Sequence, residues 1–255
     1  MVISALQIDV VSHRPLENIT RIDKAVNALP ASTDLIVLPE MFSTGFITEP
    51  QGIAEPADGE TLQWMKATAR KKDAALVGSL SVKAGDKYVN RCFFVQPHGE
   101  ITTYDKRHLF SYGGEDRYYT PGKDRVIVTY RGVRILLQIC YDLRFPVFSR
   151  NHSDYDMAVY VANWPTSRIS AWNTLLKARA IENQCYVVGC NRIGKDEHCT
   201  YQGNTQIINP YGEAIAHCAD HTIGVATAEI DMNALLAFRQ KFPVLQDADS
   251  SSFSR

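Results

Sequence analysis

Three polar side chains stand where strands are expected to end: Glu40, Lys106 and Cys140. Sheet proteins carry reactive groups at such places, because the loops are open to solvent while the strands fix their starting points. Cys140 closes the apolar run Ile135-Leu136-Leu137-Gln138-Ile139, and Tyr141-Asp142-Leu143-Arg144-Phe145-Pro146 turns away from it into an expected helix. A thiol at a helix N-terminus has a lowered pKa, and the thiolate is the nucleophile. The same geometry aims backbone N–H groups, that of Tyr141 first, at the place where an oxyanion would form. Glu40 follows Pro39 after the apolar stretch Leu35–Leu38. Shelter by Leu38, Met41 and Phe42 should raise its carboxyl pKa, which suits a proton shuttle near neutral pH. Lys106 lies in Tyr104-Asp105-Lys106-Arg107-His108 and Glu115 in Gly113-Gly114-Glu115-Asp116-Arg117. Read in isolation, the first is a surface basic run and the second a loop glutamate.

The elements that must hold these groups follow from periodicity. Ile3 to Val11 reads as a strand, and apolar residues at Leu16, Ile19, Ile22 and Val26 keep helical spacing. Leu35 to Leu38 is a short buried strand, and Asp58-Gly59-Glu60 opens a helix running from Thr61 to Asp73. Ala75 to Val82 and Tyr88 to Val95 form a hairpin, and a second is turned by His98-Gly99-Glu100. Arg125 to Tyr130 pairs with Val133 to Ile139. A strand from Asp156 to Val161, a helix from Ser170 to Asn183 and a strand from Cys185 to Cys190 follow. Asn209-Pro210-Tyr211-Gly212 turns a last hairpin, and a polar surface arm is expected after Pro243. Strand, helix and strand ending in a functional candidate occur in both halves, a weak two-fold echo. The alternation suits mixed sheets covered by helices.

Composition narrows the function classes. A chain of 255 residues with net charge −1 offers no strongly basic face for nucleic acid, and no apolar run could span a bilayer. The N-terminus lacks a basic region and Asp9 interrupts its apolar stretch, so no signal peptide is expected. The six scattered cysteines form no CxxC pair and are read as reduced thiols in the cytoplasm. There is no dinucleotide-binding or phosphate-cradling glycine motif, no HExxH and no GxSxG, and the seven histidines lack ligand spacing.

The order of the local words goes further. Leu38-Pro39-Glu40-Met41-Phe42, then Tyr104-Asp105-Lys106-Arg107-His108-Leu109-Phe110, then Ile139-Cys140-Tyr141-Asp142-Leu143-Arg144-Phe145-Pro146 resemble the three catalytic segments of the nitrilase superfamily, in that family's chain order. Arg179-Ala180-Ile181-Glu182-Asn183 resembles a further family segment, on the helix before a core strand. The resemblance implies a four-layer α-β-β-α sandwich, a single carbon-nitrogen hydrolase domain over residues 1–255 with a tail from about 243, and pairing into homodimers. It implies a Glu-Lys-Cys triad of Glu40, Lys106 and Cys140, with Lys106 and the Tyr141 N–H stabilising the oxyanion. Glu115, seven residues before Gly122, matches a second family glutamate that positions the lysine. No metal or cofactor is called for.

Within the superfamily, the cysteine word, Val161-Ala162-Asn163-Trp164-Pro165 and Lys241-Phe242-Pro243 most resemble the omega-amidase group, which releases ammonia from 2-oxoglutaramate and 2-oxosuccinamate. Such a substrate carries a far carboxylate, for which Arg168 is the candidate cation, because arginine grips a carboxylate with two parallel hydrogen bonds. Phe42 and Trp164 are expected pocket walls, and Arg144 is expected to pair internally with Asp142 or Glu182. The Tyr-Asp pair after Cys140 departs from the Trp-Glu pair of many nitrile-cleaving members. The rival readings are an amidase or carbamoylase of the same superfamily acting on deaminated glutathione or an N-carbamoyl compound, and a non-catalytic binding module.

Overall fold

The computed structural model describes residues 1–249. Its first half runs β1 (Val2–Gln7), α1 (Pro15–Asn27), β2 (Leu35–Val37), the two-residue β3 (Glu55–Pro56), α2 (Glu60–Lys72), β4 (Ala75–Ala84), β5 (Lys87–Val95) and β6 (Ile101–Asp105). Its second half runs β7 (Ile127–Tyr130), β8 (Val133–Ile139), the one-turn α3 (Pro146–Ser149), β9 (Met157–Ala162), α4 (Ile169–Glu182), β10 (Tyr186–Asn191), the small hairpin β11 (Ile193–Lys195) and β12 (Thr200–Gln202), then β13 (Gln206–Ile208) and β14 (Ala214–His217). β15 (Gly224–Glu229) and α5 (Met232–Lys241) close the chain.

The strands form two main sheets, in the orders β15-β1-β2-β4-β5-β6 and β7-β8-β9-β10-β13-β14, with β3 on the edge of β4. In each sheet three central strands are parallel, one antiparallel strand flanks them on one side and two on the other. The two sheets thus repeat one arrangement, with β15 from the end of the chain completing the first, and this gives the two-fold echo a structural basis.

Side-chain alternation explains the four layers. In β1, Ile3 and Ala5 point to a core between the sheets, which they share with Leu137 and Ile139 of β8 and with Val159 and Val161 of β9. The alternate residues face outward. Leu6, Ile36 and Leu76 pack under Ile22 and Val26 of α1 and Leu62 and Met65 of α2. Leu136, Ala158 and Val187 pack under Trp172, Leu176 and Ala180 of α4. Those three α4 residues recur every fourth position and so make one buried stripe. Gly189 lets that stripe approach β10: a Cβ there would lie 2.4 Å from Leu176.

Some expectations differ. The first strand ends at Gln7, not Val11, because the chain leaves the sheet and returns only as a bridge between Asp9 and Ile193. Neither β15 nor α5 carries a clear pattern in the sequence: β15 is partly exposed at the sheet edge, and only Leu235 of α5 is buried. The expected arm after Pro243 begins with a 3₁₀ turn at Val244–Asp247, and its residues 250–255 lie outside the described residues. Among the described residues no helix is long and apolar enough to cross a membrane.

Candidate active site

The parallel centres of both sheets deliver their strand ends to one cleft of about 760 Å³, whose lining includes Glu40, Lys106, Cys140, Asn163 and Trp164. Glu40 lies just past β2. The turn after it is tied to β4 by the Met41 N–H donating to Ser79 Oγ at 3.0 Å. Lys106 lies just past β6, its N–H donating to the Asn90 carbonyl of β5 at 2.9 Å and its carbonyl accepting from the Gly122 N–H at 2.9 Å. A Cβ on Gly122 would sit 2.1 Å from the Asp105 carbonyl oxygen, so only glycine lets the irregular segment following Glu115 close over the lysine.

Lys106 and both glutamates are essentially inaccessible to solvent. Lys106 Nζ donates to Glu40 Oε1 at 2.8 Å and to Glu115 Oε2 at 2.9 Å. Asn90 Nδ2 bridges the same carboxylates, at 2.8 Å to Glu40 Oε1 and 3.0 Å to Glu115 Oε1. The Phe110 N–H donates to Glu115 Oε2 at 2.6 Å, and the Asn163 N–H to Glu40 Oε2 at 2.9 Å. Asn163 Nδ2 also holds the Glu40 carbonyl at 2.7 Å. An ammonium has three donors; two are committed to the glutamates, which leaves one for a further acceptor. A carboxylate has about four acceptor sites; three close bonds occupy Glu40, and the fourth site, on Oε2, meets only Asn163 Nδ2 at 3.4 Å, a long contact that a proton can replace.

The electrostatics of the cluster follow from two carboxylates sharing one cation. Burial disfavours the Lys106 ammonium, but Glu115 and then Glu40 outweigh it and lift its pKa well above the ordinary lysine value. Burial, and the neighbouring Glu40 charge, raise the Glu115 carboxyl although Lys106 opposes them. Burial and then the Glu40 carboxylate push the Cys140 thiol well above an ordinary cysteine, again against Lys106. This corrects the expectation of a lowered thiol pKa. The segment Cys140–Arg144 is a 3₁₀ turn followed by the single turn α3, too short to supply much dipole, and the desolvation it needed to overcome is large. Cys140 therefore rests as a thiol.

Backbone conformation adds a feature that composition does not reveal. Cys140 has φ +44°, in the left-handed region, as does Met41 beside Glu40 with φ +43°. For a residue with a Cβ this costs roughly 1–2 kcal/mol, and such strain concentrates at functional sites. It swings the Cys140 side chain off the strand line and into the cleft. The Tyr141 N–H opens the 3₁₀ turn, where N–H groups have no acceptor within the helix.

Among the expected pocket residues, Trp164 and Arg168 line the cleft and Phe42 does not. Trp164 Nε1 donates to the Arg168 carbonyl at 2.8 Å, and the Arg168 guanidinium lies 5.3 Å over the Phe110 ring. Phe42 is fully buried in the outer core, beside Trp64 and over Gly78, where the positive φ of the preceding Met41 turns it away from the cleft. Arg144 is a second correction: it lines the cleft, 5.1 Å over Trp164, and forms no ion pair among the described residues. The partners expected of it are taken. Asp142 holds Tyr104 and His108, and Glu182 pairs with Arg179 at 2.7 Å.

Sequence reasoning missed Asn90, and it quoted Asn163 without giving it a role. An asparagine inside a strand is uncommon, which marks Asn90 in retrospect. Asn163 reaches the site because β8 and β9 run parallel with Ile139 beside Val161, which carries the residues after both strand ends to the same place. Among the described residues no cluster of three or more metal-ligating side chains occurs.

Comparison with known proteins identifies the family. Residues 3–240 match the carbon-nitrogen hydrolase family. The chain is 47% identical over 233 residues to the omega-amidase YafV of Escherichia coli (strain K12), covering 91% of this chain and 90% of that protein. It is 34% identical to a 2-oxoglutaramate amidase of Bacillus subtilis (strain 168), covering 96% of each. Among solved structures, a CN-hydrolase superfamily protein of Xanthomonas campestris with an arsenic adduct in its active site superposes with a TM-score of 0.96. It is 38% identical, with 100% of this chain and 99% of that chain covered.

Proposed function

This chain belongs to the carbon-nitrogen hydrolase family, and from that premise we propose that it is an omega-amidase. It hydrolyses the ω-amide of small 2-oxo acid monoamides, 2-oxoglutaramate and 2-oxosuccinamate, to the dicarboxylate and ammonia. The observation that carries this reading is the convergence, in one cleft, of Cys140, the Glu40–Lys106 pair backed by Glu115, and Arg144 and Arg168, which have no acidic partners among the described residues.

In the proposed mechanism Cys140 Sγ attacks the amide carbon while Glu40 takes the thiol proton. A resting thiol needs that base at the moment of attack. The carbonyl oxygen becomes an oxyanion that accepts from the third Lys106 N–H and from the Tyr141 N–H. Collapse breaks the C–N bond as Glu40 returns the proton to nitrogen, and ammonia leaves. Water then attacks the thioester, gives a proton to Glu40, and the C–S bond breaks as that proton returns to sulfur. Glu115 and Asn90 hold Lys106 and Glu40 in place through both halves. Arg144 and Arg168 take the far carboxylate, and Trp164 forms a wall.

Support comes from amidase relatives that match nearly end to end. The test is ammonia release from a panel of amides at equal concentration. The two 2-oxo acid amides should give the highest kcat/KM. If they are the poorest of the panel, the substrate assignment fails, and a deaminated-glutathione amide or N-carbamoyl compound at the top would name the replacement. We further propose that the chain forms one hydrolase domain, works as a homodimer and resides in the cytoplasm. All six cysteines are free, consistent with a reducing compartment. Exposed Tyr211, Leu236 and Phe242 on and beside α5 offer apolar surface to a second copy.

A further inference from the structure

We propose that Asp142 is a positioning residue that clamps the Cys140 turn to the Lys106 segment and so sets the spacing between thiol and ammonium. It is fully buried and has no direct part in the proposed proton transfers. Its Oδ2 accepts from the Ile139 N–H at 2.9 Å and from the Tyr104 hydroxyl at 2.8 Å. Its Oδ1 accepts from the His108 N–H at 3.0 Å and faces His108 Nδ1 at 2.8 Å. A carboxylate only accepts, so His108 Nδ1 carries the proton in that contact. Four donors thus fill all four acceptor sites.

The donors come from two sheets. Ile139 ends β8 in one sheet and immediately precedes Cys140. Tyr104 belongs to β6 in the other sheet, two residues before Lys106, and His108 stands two residues after it. One carboxylate therefore grips the strained nucleophile turn and both sides of the lysine. The His108 ring is itself fixed, stacked on Phe145 at 3.9 Å, and the Tyr104 hydroxyl accepts from the Arg107 N–H at 3.0 Å. This inference rests on the reading of Cys140 as nucleophile.

The test compares Asp142→Asn and Tyr104→Phe with the wild type. The readouts are steady-state ammonia release, the iodoacetamide alkylation rate of Cys140 at pH 8 by mass spectrometry, and the melting temperature. Asparagine offers one acceptor oxygen to donors that need two. Tyr104→Phe keeps the carboxylate charge and removes a single donor. Misplacement by about 1 Å costs on the order of 10²-fold in rate, so kcat should fall about 100-fold in Asp142→Asn and about 10-fold in Tyr104→Phe, with KM within twofold. Alkylation of Cys140 should slow in both, because the ammonium that favours the thiolate is no longer held against it. Removal of a nearby negative charge alone would speed alkylation in Asp142→Asn, and a purely structural role would lower the melting temperature while leaving both rates of the folded protein unchanged. Either result overturns the proposal. If Asp142→Asn does not fold, Tyr104→Phe decides by the same criteria. A wild type that releases no ammonia from any amide would instead defeat the functional reading, while the alkylation comparison still judges the clamp.

Discussion

Replacing Lys106 by methionine would test the electrostatic logic of the site most directly. The ammonium lies 2.8 and 2.9 Å from two carboxylates that have no access to solvent. Methionine fills similar space without charge, so two buried carboxylates would face each other across Asn90. Removing one partner of a buried ion pair costs about 3–5 kcal/mol. In a chain of this size each kcal/mol moves the melting temperature by about 2–4 °C, so a fall of roughly 6–20 °C is expected at pH 7.5. The pH dependence has a definite sign. Burial, with Glu40, already raises Glu115 in the wild type, and without Lys106 the main opposition to that rise is gone, leaving the Phe110 N–H against it. A carboxyl whose folded pKa is raised contributes stability that is present below its unfolded pKa and is lost as pH rises through the folded one. The variant should therefore recover toward pH 5, and its gap to the wild type should narrow there. Turnover should fall by roughly 10²–10³-fold from loss of the oxyanion cation. Calorimetry of both proteins between pH 5 and 8 is the assay. A gap under about 2 °C at pH 7.5, or one that widens toward acid, would refute the reasoning.

The other expectations are simpler. Cys140→Ala should abolish turnover, and Cys140→Gly should melt higher than Cys140→Ala by the equivalent of roughly 1 kcal/mol, because glycine adopts the φ of +44° without strain; equal melting temperatures would remove strain from the account. Arg144→Ala and Arg168→Ala should each raise KM for 2-oxoglutaramate with little change in melting temperature, and whichever grips the carboxylate should cost on the order of 2 kcal/mol of binding, about 30-fold. An unchanged KM in both would leave the far carboxylate without its cation. Phe42→Ala should lower stability by about 3–5 kcal/mol in denaturant titration while KM stays within twofold, and the reverse pattern would return Phe42 to the pocket wall.

Much of this molecule could be read in one dimension. Leu35–Leu38 and Ile135–Ile139 are apolar runs bounded by polar residues, so their ends and the groups just past them, Glu40 and Cys140, were legible. α1 and α4 showed their buried stripes for the same local reason, with Ile22 and Val26, and Leu176 and Ala180, spaced by one turn. The largely exposed edge strand β15 and the mostly exposed α5 bury too few residues to leave a period. Phe42 misled because its neighbours in sequence belong to the site, while the backbone at Met41 turns its ring into the outer core.

The sequence alone determined which chemistry was available: a thiol, a carboxylate and an ammonium placed at strand ends by local hydrophobic patterning. Only the tertiary structure decided what state they rest in and who holds them. Burial makes Cys140 a thiol rather than a thiolate. The facing sheets bring Asn163 to a glutamate 123 residues away and Asp142 to Tyr104 and His108. Such effects depend on desolvation and on contacts between distant segments, which a local sequence pattern does not encode.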